Sequence, residues 1–327
     1  MVYKLKPTRV FRAYHGGENL DKLNKKSDVG VSRFPEDWLG SVTTAFNPDR
    51  QVVNEGLTET CDGRILKDLI LSDKENMIGR RENMSLLFKL LDSAERLVIQ
   101  VHPTREFAME RFGSPYGKTE CWYMLGDGGY VYLGFKEGIT KEYWKKLFDK
   151  QDVDAMLSCL HRFDVKCGDF IFVAGGVPHA IGAGCFLAEL QEPTDLMVIP
   201  ERVTPSGVVL AEEKLHGGLG FDHMFDCFVY EGLSRDEVKR RYFITPKEEE
   251  GRLVLADSEI TDKFKLDKLV CSGSSEFETH SYAIVLVIKG CGEINGTSVI
   301  EGDRLFLPES ESKLSICGDM EILLARP

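Results

Sequence analysis

The chain has 327 residues, 43% apolar and 29% charged, an ordinary globular balance with enough length for two domains. Its formal net charge of −12 excludes binding to nucleic acid or an anionic membrane face by bulk electrostatics, but not recognition of a small phosphorylated ligand by a few local cations. No apolar run reaches the roughly 20 residues of a membrane span, the first residues lack a signal-peptide centre, and the nine scattered cysteines read as reduced thiols of a cytoplasmic protein.

Residues 1–60 are irregular, with turns at His15-Gly-Gly and Asn47-Pro-Asp; Trp38, with Val42 and Phe46, begins a sheet layer as a core aromatic. Ile65 and Leu66 with Leu69 and Ile70, and Leu86 and Leu87 with Leu90 and Leu91, recur at helical spacing, which predicts helices over 64–72 and 84–92. From 97 to 135 the chain is rich in β-branched and aromatic residues, and Gly-Asp-Gly-Gly at 126–129 signals a hairpin. Thr140 followed by Glu142, with Trp144, Leu147 and Phe148 on one side, predicts two short helices divided near Gln151-Asp152.

Four side chains in this β-rich region point to a metal. In Val-Ile-Gln-Val-His at 98–102, strand alternation puts Gln100 and His102 on one face. Glu120 heads a second strand-like run, and His179 follows a third, Phe170 to Val173, after a Gly-Gly turn. One amide oxygen, two imidazoles and one carboxylate suit zinc or a similar divalent ion. Lys118, two residues before Glu120, taken alone is a solvated surface lysine; the motif it sits in makes it the candidate for holding a substrate or moving a proton.

These residues also carry a resemblance. Gln-Val-His-Pro at 100–103, Gly-Lys-Thr-Glu-Cys-Trp-Tyr at 117–123 and Gly-Gly-Val-Pro-His-Ala-Ile-Gly at 175–182 resemble type I mannose-6-phosphate isomerases, which are cupins; weaker echoes lie at Glu36–Ser41, Leu86–Leu91 and Glu192–Asp195. The resemblance implies zinc, or another divalent transition metal, on Gln100, His102, Glu120 and His179. It implies interconversion of mannose 6-phosphate and fructose 6-phosphate through a cis-enediol, with a sugar phosphate as the small-molecule partner. The chain departs from the family at Ile199, where members carry an arginine important for catalysis. Arg202, three residues on, is the nearest cation to take its place, and Pro200 breaks the strand between them. A metal-binding cupin that recognises a sugar or sugar phosphate without turnover, or an isomerase of another sugar, is the alternative.

An internal echo bears on architecture. Gly-Asp-Phe-Ile-Phe-Val at 168–173 returns as Gly-Asp-Arg-Leu-Phe-Leu at 302–307, and Cys121–Gly126 corresponds to Val285–Gly290. The expectation is a mainly β protein with helical insertions: two jelly-roll barrels of the cupin type. Residues 1–240 form the metal-binding catalytic domain, with insertions at about 60–95 and 137–161, and 241–327 a metal-free barrel. The join falls in the charged stretch Gly232–Glu250.

Overall fold

The computed structural model describes residues 1–48, 50, 52–249 and 251–327. Asp49, in the expected turn, and Glu250, at the end of the expected join, lie outside the described residues. The fold is mainly β. Ten strands occupy the first two-thirds: β1 (Tyr3–Lys4), β2 (Arg9–Val10), β3 (Glu36–Leu39), β4 (Leu87–Asp92), β5 (Glu120–Met124), β6 (Tyr130–Phe135), β7 (Leu160–Asp164), β8 (Phe170–Val173), β9 (His179–Ile181) and β10 (Phe186–Gln191). Seven follow: β11 (Lys247–Glu249), β12 (Arg252–Ala256), β13 (Lys265–Glu278), β14 (Ala283–Ile294), β15 (Thr297–Ile300), β16 (Arg304–Leu307) and β17 (Lys313–Arg326).

They pair as three open sheets, without the ring closure that two barrels require: an 8-stranded sheet β1-β16-β14-β17-β13-β12-β11 with β15 on β14, a 6-stranded sheet β2-β3-β4-β10-β5-β8, and a 3-stranded sheet β7-β6-β9. The 6-stranded sheet is the middle layer, and strand alternation divides its side chains cleanly. Leu90, Cys121, Tyr123, Ala188 and Leu190 face outward onto Ile284, Leu286 and Phe306 of the C-terminal sheet. Leu91, Trp122, Met124, Leu187 and Val173 face inward onto Val131, Leu133 and Ile181 of the 3-stranded sheet. The inward face carries the site.

The periodicity misreads two segments. The helix expected over 84–92 is strand β4, paired on one side with β3 and on the other with β10. Its residues are buried on both faces, so Leu-Phe-Lys-Leu-Leu forms an unbroken apolar run that mimics a helical stripe. The helices actually present nearby are Leu66–Ser72, as expected, and Lys74–Ile78. The hairpin expected at 126–129 does not form either: β5 belongs to the 6-stranded sheet and β6 to the 3-stranded one. Gly128 and Gly129 adopt φ of 111° and 94° while the chain crosses between sheets, a turn that residues with a Cβ resist. Trp38 is fully buried in β3 as expected, whereas Phe46 is exposed.

The two short helices appear as Lys141–Lys150 and Val153–Ser158, separated at Gln151 and Asp152. Thr140 and Asp152 cap them by accepting the amides of Tyr143 and Ala155. The repeat has a structural counterpart: Met124 exchanges backbone hydrogen bonds with Gly168 and Asp169, and Val287 does so with Gly302 and Asp303. The register shifts between Val287 and Lys289, so Val287, not Ile288, occupies the position of Met124. All nine cysteines are free, and among the described residues no helix is long and apolar enough to cross a membrane.

Candidate metal centre

His102, Glu120 and His179 converge between the two N-terminal sheets. One ligand atom from each lies within 4.8 Å of the others, and all three residues are buried. Glu120 opens β5 on its inward face, in line with Trp122 and Met124. His179 opens β9. His102 sits in extended chain beyond a short bridge, where Gln100 and His179 exchange both backbone hydrogen bonds at 2.9 Å.

Two glycines allow the loops to close on this point. A Cβ on Gly117 would lie 2.6 Å from the Pro103 carbonyl, and one on Gly175 would lie 2.8 Å from the same oxygen; real Cβ atoms do not come so close. The loop holding Lys118 and the turn before His179 therefore pack directly on Pro103-Thr104. Lys118 donates its backbone amide to Pro103 at 3.0 Å, and Gly176 donates to His102 at 2.7 Å.

The imidazoles are oriented by backbone. Nδ1 of His102 is 3.0 Å from the Leu196 carbonyl and Nδ1 of His179 is 2.9 Å from the Val177 carbonyl, so Nδ1–H donates and each Nε2 offers a lone pair to the site. Those nitrogens lie 3.2 Å and 3.4 Å from the Glu120 carboxylate. Trp122 fixes that carboxylate by donating its indole N–H to Oε1 at 3.0 Å. Two acceptors remain: Nε2 of His179 and Oε2 of Glu120 are buried without a hydrogen-bond partner. Buried acceptors left unpaired are costly, and two converging beside a third ligand fit a divalent cation.

The charge states agree. Burial, then the Lys118 ammonium, pushes His102 down to about 3, and burial lowers His179, so both are the neutral imidazoles a metal needs. Burial opposes ionisation of Glu120, but the Lys118 ammonium outweighs it and holds the carboxyl well below its usual range.

The centre borders a narrow cleft with a cavity volume of about 60 Å³, walled by Leu97, Met197, Ile199 and Leu210 and bearing Gln100 and Lys118. Lys118 is 2% exposed, and its Nζ donates to Nε2 of His102 at 2.9 Å and lies 3.3 Å from Glu120. His102, Glu120, His179 and Lys118 are thus brought together, and Gln100 lines the same cleft. Arg202 is not: it is absent from the cleft wall, its guanidinium lies over Phe148 and Phe221, with ring centroids at 4.8 Å and 4.7 Å, and Glu212 is 3.9 Å away. Ile199, 2% exposed, lines the cleft itself.

Sequence reasoning gave no role to most charged residues of the cleft, among them Arg12, Glu36, Lys89 and Glu189. Lys89 and Glu189 are direct partners across β4 and β10, their charges 3.1 Å apart, and Lys89 also reaches Glu36 at 3.6 Å. Burial first, and the charge of Glu120 second, push Glu189 up to about 8 against the pull of Lys89 and Lys118. The available signal was a single charge at the centre of an apolar strand, Leu-Phe-Lys-Leu-Leu and Phe-Leu-Ala-Glu-Leu, which has to be satisfied inside.

Comparison with known proteins finds similarity to mannose-6-phosphate isomerases. The type I phosphomannose isomerase catalytic-domain model matches residues 33–119, a span that holds Gln100, His102 and Lys118 and stops one residue before Glu120. The mannose-6-phosphate isomerase of Streptococcus mutans is 29% identical over 268 residues, 78% of this chain and 79% of that protein. The mannose-6-phosphate isomerase ManA of Bacillus subtilis is 27% identical over 252 residues, 75% of each. A Bacillus subtilis mannose 6-phosphate isomerase crystal structure shares the fold at a TM-score of 0.77 and 21% identity, covering 100% of this chain and 99% of that one. A mannose 6-phosphate isomerase structure with bound zinc and yttrium is similar at a TM-score of 0.74 and 15% identity, over 99% of each chain.

Proposed function

We propose that this chain, a member of the type I phosphomannose isomerase family, interconverts mannose 6-phosphate and fructose 6-phosphate through a cis-enediol with the help of zinc or a similar divalent ion. The observation that carries this reading is the buried His102–Glu120–His179 cluster, with its two unpaired acceptors, beside a cleft that also holds Lys118. Gln100 completes the ligand set: it is joined to His179 through the backbone and lines the same cleft.

When bound, such an ion acts as a Lewis acid on the sugar oxygens at the reacting carbons. The chain supplies the rest. Glu120, pinned by Trp122, and the two backbone-oriented imidazoles preset the ligand geometry. Lys118 is the group that holds a sugar oxygen or moves a proton between O1 and O2, since its ammonium is already at the cleft. Glu189, whose carboxyl keeps its proton more readily than usual, is the second titratable group able to exchange a proton there. The apolar wall of Leu97, Met197, Ile199 and Leu210 limits access of water to the reacting carbons.

In this reading residues 1–240 are the metal-binding catalytic unit and 241–327 a metal-free unit, built on the open C-terminal sheet, that supports it. The C-terminal sheet buries Ile284, Leu286 and Phe306 against the outer face of the middle layer, and β1 joins it through β16. Proton exchange tests the reaction: mannose 6-phosphate incubated with the protein in deuterated water should become fructose 6-phosphate with solvent deuterium at C1. Binding without conversion or exchange would make the protein a sugar-phosphate receptor.

A further inference from the structure

We infer that Arg12 is the residue that holds the substrate's phosphate group, and so makes the cleft select a phosphorylated sugar; this rests on the isomerase reading above. Arg12 lies before β3 in a stretch to which sequence reasoning gave no role, yet it is 4% exposed and lines the cleft. A guanidinium carries five N–H donors in a rigid fork. Two of its three nitrogens are engaged: Nε donates to Glu36 Oε1 at 3.0 Å and Nη2 to Asp195 Oδ1 at 3.2 Å. The third, Nη1, is buried and has no hydrogen-bond partner.

The surroundings hold that fork still. Its carbon lies 5.2 Å from the Trp38 ring centroid. Glu36 is itself fixed, accepting from Tyr14 at 2.9 Å and from the Trp38 indole at 2.8 Å, and Asp195 accepts the Phe46 amide at 2.9 Å. A cation clamped on two edges with its third edge unsatisfied is preorganised for an acceptor arriving from the cleft. The acceptor that a guanidinium edge matches is a phosphate or carboxylate oxygen, and in a sugar-phosphate cleft it is the phosphate. The lining cations Arg12, Lys89, Lys118 and Lys214 stand beside the carboxyl groups of Glu36, Glu189 and Asp195.

The position also relates the phosphate to the metal centre. Asp195, clamped by Arg12, immediately precedes Leu196, whose carbonyl orients His102. The charged Arg202 of the same segment is turned away, and Ile199 carries no charge, so Arg12 is the guanidinium that this cleft presents.

The test uses Arg12→Lys, which keeps the charge and loses the fork, and the double variant Arg12→Met with Asp195→Asn, which leaves no new unpaired charge at Asp195. Inorganic phosphate is the probe, by calorimetry on the metal-loaded protein. Both variants should weaken phosphate binding by roughly ten- to hundredfold, and should raise KM for mannose 6-phosphate by a similar factor with kcat and metal content near wild type. Unchanged phosphate affinity in folded, metal-loaded variants overturns the assignment. A fall in kcat with KM unchanged overturns it too, because Arg12 then acts at the reacting carbons. If wild type binds phosphate but does not turn over mannose 6-phosphate, the isomerase reading fails while the phosphate comparison still decides the role of Arg12.

Discussion

Gln100 and His179, 79 positions apart in the sequence, exchange both of their backbone hydrogen bonds at 2.9 Å. That one bridge closes the metal centre: it joins the chain leading to His102 with the start of β9, and Glu120 arrives from the neighbouring sheet.

The first prediction follows from it. His102→Ala and His179→Ala each remove a buried imidazole ligand and should lose metal stoichiometrically by elemental analysis, while Gln100→Ala, which removes the neutral amide ligand, should weaken retention by less. Full metal occupancy in both histidine variants contradicts the ligand assignment.

How much of this was legible in the sequence depended on the kind of signal. Residue types and strand placement put Gln100, His102, Glu120 and His179 forward as one ligand set, and the family motif put Lys118 beside them; His102, Glu120, His179 and Lys118 do meet in the fold. Periodicity failed at Leu87–Asp92 because a strand buried on both faces has no polar side to mark its period. Proximity in sequence failed for Arg202, three residues from Ile199, because the cation stacks on Phe148 and Phe221. Arg12 was illegible because it comes from a segment 183 residues from its partner Asp195, and no local pattern announces such a pair.

Arg202 thus yields the second prediction. Its stacking contributes about 1 kcal/mol, so Arg202→Ala should lower stability in urea by about that amount and leave kcat/KM close to wild type. A large loss of kcat/KM at unchanged stability would put Arg202 back at the reaction.

Lys89 provides a third. It separates Glu36 from Glu189 inside the cleft, and removing one partner of a buried charge network costs about 3–5 kcal/mol. Lys89→Met should show that loss in chemical denaturation, and Lys89→Met combined with Glu189→Gln should recover much of it. Additive losses in the double variant would mean that the two charges are not coupled.

The buried histidines make metal-free stability depend on pH. The unfolded chain protonates a histidine below about 6.5, whereas His102 stays neutral in the fold down to about 3 and His179 is lowered as well. The unfolded state therefore binds more protons in this window. The His102 contribution to stability is complete above about pH 6.5 and is lost as the pH falls, by about 1.4 kcal/mol per unit, and His179 adds in the same direction. Urea unfolding of chelated protein between pH 7 and 5 should show this slope, and His102→Asn should remove its own share. Identical slopes for the two proteins would contradict the neutral, buried state of His102.

The most direct measurement follows fructose 6-phosphate production from mannose 6-phosphate by the purified protein, before chelation, after the metal has been stripped, and after zinc is restored. Turnover should be present, abolished with the metal, and recovered in proportion to the zinc bound. Turnover that persists in metal-free protein, or none at full zinc occupancy, would contradict a metal-dependent isomerase built on His102, Glu120 and His179.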